Sequence, residues 1–155
     1  MIIFTRTRRR LNMERVARRG WKPFAILVAA AALYWLAMFA ATHLPFQTTP
    51  QGDPYSLDKL EHITAFAIFA VLLCTAGTFT PLGRIALYCA VFAFIAAYAA
   101  IDELSQRFVP ERTPDIQDWL ADLIGAALGI AIFAVGHRLY LNRQARAASL
   151  SEPTA

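Results

Sequence analysis

Four long apolar segments, separated by polar stretches, dominate the pattern along the chain. The first runs from Phe24 to Thr42 without a charged residue, which at ~1.5 Å per residue spans roughly the hydrocarbon core of a bilayer. The pattern therefore predicts four transmembrane helices, at about residues 23–43, 60–80, 84–101 and 116–137.

The fourth segment differs from the others in where its acidic residues fall. Its uncharged part, from Leu123 to Gly136, is too short to span a bilayer by itself. Asp118 and Asp122 are therefore expected to lie at the membrane interface or slightly below it.

The composition supports a membrane protein. Hydrophobic residues make up 57% of the 155 positions and charged residues 17%, against roughly 45–50% and 25% in soluble proteins. So short a chain cannot hide that much apolar surface in one core. We predict an all-α membrane protein, a bundle of four transmembrane helices. The first apolar run exceeds the 7–15 residues of a signal-peptide core, so we interpret it as a retained helix.

The basic residues predict the orientation of the bundle. A basic arm (1–22), the turn at Arg84 and a tail (138–155) hold 12 of the 15 Lys and Arg residues, which indicates that both termini are cytoplasmic. The tail is expected to be partly disordered. No aromatic residues interleave with the basic arm as a nucleic-acid platform would require, so lipid contact is the better interpretation.

Ionisable residues cluster at the predicted outer ends of helices two, three and four. Asp58 and His62 are four positions apart and share a helix face, so the carboxylate can hydrogen-bond the imidazole. Asp58 could instead simply favour a helix N-terminus. Asp102 and Glu103 end the third helix, where the helix dipole disfavours acids and some cation must compensate.

The fourth helix adds a stripe of acids followed by glycines. Asp115, Asp118 and Asp122 lie at i, i+3 and i+7, and the stripe continues with Gly125 and Gly129, a spacing that permits close helix packing. Antiparallel helices bring these ends together. The expected outward-facing pocket contains Asp58, His62, Glu103, Gln106, Arg112, Asp118 and Asp122.

These residues resemble a known family. The series is Asp58-Lys59-x-x-His62, Asp102-Glu103-x-x-Gln106, then Arg112, Asp115, Asp118, Gly125 and Gly129. It resembles the VanZ-like family of small bacterial membrane proteins, named for a teicoplanin-resistance determinant, over roughly residues 57–130. Where members often have Pro-Gly-Arg this chain has Pro110-Glu111-Arg112, and Asp122 stands where members often have Asn. The resemblance implies a multi-pass protein of the bacterial cytoplasmic (inner) membrane that affects the cell envelope or glycopeptide susceptibility, and it implies no particular reaction.

The first functional hypothesis is an outward-facing site that binds or modifies an envelope component, such as a lipid-linked precursor or an amphiphilic glycopeptide. The candidate catalytic residues are Asp58, His62 and Glu103. The candidate substrate-binding residues are Lys59, Gln106, Arg112 and Asp115. The candidate ligands of a divalent metal such as Mg²⁺, Mn²⁺ or Zn²⁺ are Glu103, Asp118 and Asp122.

The second hypothesis is a structural or interaction module. Its charges would only orient the helices, and Gly125 and Gly129 would mediate packing or dimerisation. An ion or proton pathway is disfavoured because the inner halves of the helices carry no ionisable residues. Whether the protein is an enzyme, and its oligomeric state, remain open from the sequence.

Overall fold

The protein is a bundle of four α-helices. The computed structural model describes residues 21–43, 55–110 and 114–151. The helices are α1 (Trp21–His43), α2 (Tyr55–Gly77), α3 (Arg84–Gln106) and α4 (Ile116–Ser151). No strand occurs in these ranges, and all four helices are long and apolar enough to cross a membrane. The predicted all-α bundle of four transmembrane helices is confirmed, and the chain is a multi-pass membrane protein.

The helices extend further into the polar segments than the apolar pattern alone predicts. The second helix begins at Tyr55 and not near residue 60, and the third continues to Gln106 and not to about 101. The fourth continues through Ser151, so the predicted tail 138–155 is helical over its described part. Most of the predicted basic arm, residues 1–20, lies outside the described residues.

A tight connection joins α2 to α3. The amides of Thr78, Phe79 and Thr80 donate to carbonyls one turn earlier, at 3.2, 3.1 and 3.0 Å, before α3 begins at Arg84. This short turn makes α2 and α3 antiparallel neighbours. The start of α2, the end of α3 and the start of α4 consequently lie at the same end of the bundle.

Glycine brings α2 and α4 into backbone contact. A Cβ atom added at Gly125 would collide with the carbonyl group of Ile63, and one at Gly129 with that of Ala67. Because only glycine leaves this space free, the two helices approach more closely than larger side chains would permit. The close approach sets the distance between the polar residues that precede these glycines on each helix.

The core lies between α2, α3 and α4. Phe69, Ile95 and Cys74 are its largest fully buried side chains. By contrast, α1 contributes one fully buried residue, Ala31, and is attached through Tyr34, whose hydroxyl donates to the Ala65 carbonyl at 3.1 Å. Large apolar side chains cover the outside of the bundle, as expected for helices that contact lipid.

Candidate functional site

Three acids surround one lysine at the polar end of the bundle. The Lys59 ammonium of α2 donates to Asp58 at 3.2 Å, to Asp115 at 3.1 Å and also to Asp118. We call these four residues the lysine cluster. The Lys59 side chain is only 16% exposed, so the ammonium lies among the carboxylates as a bound cation would. The cluster joins the start of α2 to the start of α4.

A histidine and a buried carboxylate lie next to the lysine cluster. His62 Nδ1 is 2.8 Å from Asp122 Oδ1, and His62 Nε2 is 3.9 Å from Asp118 Oδ1. Asp122 is 2% exposed, and a carboxylate so buried requires a partner. The i, i+4 spacing predicted Asp58 as the hydrogen-bond partner of His62, whereas the structure gives that place to Asp122. The spacing within one helix therefore predicted the wrong carboxylate partner.

The pair formed by His62 and Asp122 has the arrangement of a general acid/base. When Nδ1 carries the proton it donates to Asp122, and Nε2 is then the free acceptor on the side of Asp118. A carboxylate that orients an imidazole in this way prepares the other ring nitrogen for proton transfer. Arranged so, the pair can exchange a proton with a polar group placed beside the lysine cluster.

The acids at the end of α3 have partners that offset the unfavourable helix dipole. Glu103 accepts the backbone N–H of Asp115 at 2.5 Å, and Asp102 accepts the Tyr98 hydroxyl at 3.2 Å. Both acids are buried, as is Gln106. Glu103 therefore holds the start of α4 in place. Glu103 was predicted as a catalytic residue and a metal ligand, whereas the hydrogen bond described for it is with the backbone N–H of Asp115.

One further residue belongs to this end of the bundle and was absent from the predicted site. His43, the last residue of α1, lies with Nε2 2.8 Å from the Ser105 hydroxyl and Nδ1 3.9 Å from Asp102. Its position at the outer end of an uncharged run was the signal available in the sequence. Through these contacts α1 reaches the polar residues of α3.

The geometry groups a different set of possible metal ligands from the one predicted. In the described ranges, Asp58, His62 and Asp118 offer ligand atoms that all lie within 4.8 Å of one another. Glu103 and Asp122, predicted as ligands with Asp118, instead contact backbone and imidazole. Two carboxylates and one imidazole suit Mg²⁺, Mn²⁺ or Zn²⁺, but the Lys59 ammonium already bonds two of the three ligands.

The predicted site residues are thus largely brought together, although not in the predicted pairs. Lys59 and Asp115, predicted to bind substrate, both belong to the lysine cluster. Gln106 is buried one turn beyond Glu103. Arg112, the predicted anion-binding residue, lies outside the described residues.

The whole sequence can also be compared with those of known proteins. No curated protein and no solved structure matches the chain. The family model described as VanZ/LLP1 matches residues 3–137. The match extends beyond the range 57–130 that the motifs indicated, and it includes all of α1, α2 and α3 and the part of α4 that carries the polar site. The chain belongs to the VanZ/LLP1 family.

Proposed function

We propose that this protein binds an amphiphilic component of the bacterial cell envelope at an outward-facing polar site formed by the lysine cluster, His62 and Asp122. The protein would lie in the cytoplasmic membrane with both termini in the cytoplasm, as the distribution of basic residues predicts. The observation that carries the proposal is the 2.8 Å contact between His62 and the buried Asp122, directly beside the lysine cluster.

The cost of burying these groups supports a role beyond helix packing. Ionisable side chains at membrane depth are energetically expensive, and each one is a functional-site hypothesis by default. The contact between α2 and α4 is already made close by Gly125 and Gly129. Apolar residues in place of a buried ion pair are often neutral or stabilising. Packing alone therefore does not account for Asp122 and His62.

The position of the site supports an amphiphilic ligand. A lipid-linked precursor or an amphiphilic glycopeptide could keep its apolar part in the bilayer while its polar part reaches the lysine cluster. His62 would then accept a proton from the ligand or donate one to it, with Asp122 holding the ring. Binding of this kind would alter susceptibility to glycopeptides such as teicoplanin.

The test compares two histidines of the same chain. His62→Gln removes the proposed acid/base group, and His137→Gln is the control because His137 stacks on Phe133 further along α4, in the match to the family but away from the polar site. Each variant is expressed in a teicoplanin-susceptible bacterium, and inhibitory concentrations are measured together with the amount of protein in the membrane. We expect only His62→Gln to lose the effect at unchanged abundance. Full activity of His62→Gln would refute the proposal.

A structural module is the second candidate, favoured by the partners that the acids have inside the protein. Lys59 bonds three carboxylates, and Glu103 bonds the backbone of Asp115. If the network only orients helices, His62→Gln should lower the amount of folded protein, and any phenotype should fall in proportion. Measuring abundance and susceptibility in the same cells separates the two candidates.

A further inference from the structure

A lateral groove lies on α2 beside α1, away from the polar site. It is an open groove with a volume of about 430 Å³, lined by Tyr34 of α1 and by Leu57, Leu60, Glu61, Thr64 and Ile68 of α2. Its volume falls in the range of roughly 300–1,000 Å³ that is typical of ligand pockets. We propose that this groove binds a membrane phospholipid whose headgroup carries a primary ammonium group.

The groove and the polar site occupy different faces of α2. Lys59 and His62 point towards α4 and bond its acids. The groove residues follow one another at spacings of one, three and four positions, which places them on one face of the helix, away from the face of Lys59 and His62. The hydrogen bond from Tyr34 to the Ala65 carbonyl fixes α1 beside that face. The inference therefore stands independently of the proposed function.

The length of the groove matches one leaflet of a bilayer. Leu57 and Ile68 are 11 positions apart, which corresponds to about 16 Å along a helix at ~1.5 Å per residue. Half of a hydrocarbon core of about 30 Å is about 15 Å. A lipid in the leaflet at the polar end of the bundle could therefore place its headgroup near Glu61 and its acyl chain along the groove towards Ile68.

The charge at the outer end of the groove is negative. Glu61 is the carboxylate of the lining and is exposed. The Lys59 ammonium is directed to the lysine cluster. A headgroup that presents an ammonium group is therefore the one that complements the Glu61 carboxylate at this end of the groove.

The headgroup has to supply the selectivity. Lipid tails are as apolar as leucine side chains, so an acyl chain gains little when it moves from the bilayer into an apolar groove. An ammonium group can donate charge-assisted hydrogen bonds to the Glu61 carboxylate. A choline headgroup has no N–H to donate, and a glycerol headgroup has no positive charge. Ethanolamine phospholipid should consequently be retained in preference to both.

The test measures retained lipid on the purified full-length chain. The protein is mixed in detergent with equal amounts of phosphatidylethanolamine, phosphatidylcholine and phosphatidylglycerol of identical acyl chains, and bound lipid is counted by native mass spectrometry. We expect phosphatidylethanolamine to dominate. Glu61→Gln should lower its preference by roughly two- to fivefold, as the loss of a partly exposed ion pair would. Equal retention of the three lipids, or an unchanged preference in Glu61→Gln, would overturn the proposal.

A second pair of variants tests the groove itself. Thr64→Phe adds a ring to an exposed residue inside the groove, and Ala97→Phe adds the same ring to an exposed residue of α3 outside it. Only Thr64→Phe should abolish preferential retention. Preferential retention of phosphatidylethanolamine by Thr64→Phe would show that the groove does not hold a lipid. The same conclusion would follow if the wild type were a dimer in these spectra and Thr64→Phe a monomer. His62→Gln should retain the lipid, so this result is distinct from that of the susceptibility assay.

Discussion

Replacing Gly125 with alanine places a methyl group against the backbone of α2, at the point that sets the geometry of the polar site. The added Cβ would lie 3.0 Å from the carbonyl carbon and the Cα of Ile63, and closer still to its oxygen. Ordinary contacts of a Cβ atom begin at 3.4 Å. Since backbone atoms cannot rotate away as a side chain could, α2 and α4 have to separate locally.

The magnitude follows from that displacement. Ile63 follows His62 in α2, and Gly125 lies one turn after Asp122 in α4, so the separation acts on the hydrogen bond between His62 and Asp122. The two carbon contacts alone require an opening of about 0.4 Å, and the shorter contact with the Ile63 oxygen requires more. The opening therefore takes this bond from 2.8 Å beyond the upper limit for N–H···O, about 3.2 Å. Overpacking of this kind costs about 1–3 kcal/mol. Gly125→Ala should therefore lower the free energy of unfolding by that amount.

The assay is reversible unfolding in mixed detergent micelles, followed by circular dichroism as the fraction of denaturing detergent rises. Gly136→Ala is the matched control on the same helix, because a Cβ there meets nothing within 4 Å. It should leave stability unchanged or raise it by up to roughly 1 kcal/mol, since alanine favours a helix more than glycine does. A Gly125→Ala protein as stable as the wild type would refute the argument from close packing.

Substitutions at three further positions test the polar contacts by the same unfolding measurement. Lys59→Met leaves three carboxylates facing one another and should lower the free energy of unfolding by about 1–3 kcal/mol, less than the 3–5 kcal/mol lost when a fully buried pair is broken. Added Mg²⁺ should restore part of this stability. The absence of any Mg²⁺ effect would contradict the picture of Lys59 as a tethered cation. Asp122→Ala removes the partner of His62 and should lower the free energy of unfolding by about 1–3 kcal/mol. Equal stability of Asp122→Ala and the wild type would show that this contact contributes nothing to stability. Glu103→Ala should lower the free energy of unfolding by about 1–3 kcal/mol, because it leaves the N–H of Asp115 unpaired. Glu103→Gln should lower it less, because its amide oxygen still accepts that hydrogen bond. The opposite order would mean that the charge of Glu103, and not its hydrogen bond, stabilises the protein.

The fold was predictable because each span is a long apolar segment, uncharged throughout in the first three and interrupted near its start by Asp118 and Asp122 in the fourth. The ends of the helices were less predictable. α3 continues through Asp102 and Glu103 to Gln106, although acids at a helix C-terminus are unfavourable on local grounds. Tertiary contacts with Tyr98 and the backbone of Asp115 offset that cost, and a pattern of apolar residues contains no information about them.

The membership of the polar site could also be predicted, because antiparallel helices bring their ends together. The pairs that its residues form with one another could not be predicted. Helices in lipid are apolar on most faces, so the sequence does not fix how far each one is rotated about its axis. The i, i+4 spacing favoured Asp58 as the partner of His62, whereas the rotation of α4 presents Asp122. His43 was overlooked for the same reason, since its contact with Ser105 depends on where α1 packs.

The length of α4 has a practical consequence for imaging the protein. Its 36 residues extend about 54 Å at ~1.5 Å per residue, well beyond a hydrocarbon core of about 30 Å. A protein of 17.2 kDa is too small to align in single-particle electron microscopy without added mass. A helical soluble domain joined in phase after Ser151 would form a rigid fiducial whose orientation reports that of the bundle, with no flexible linker to average it away.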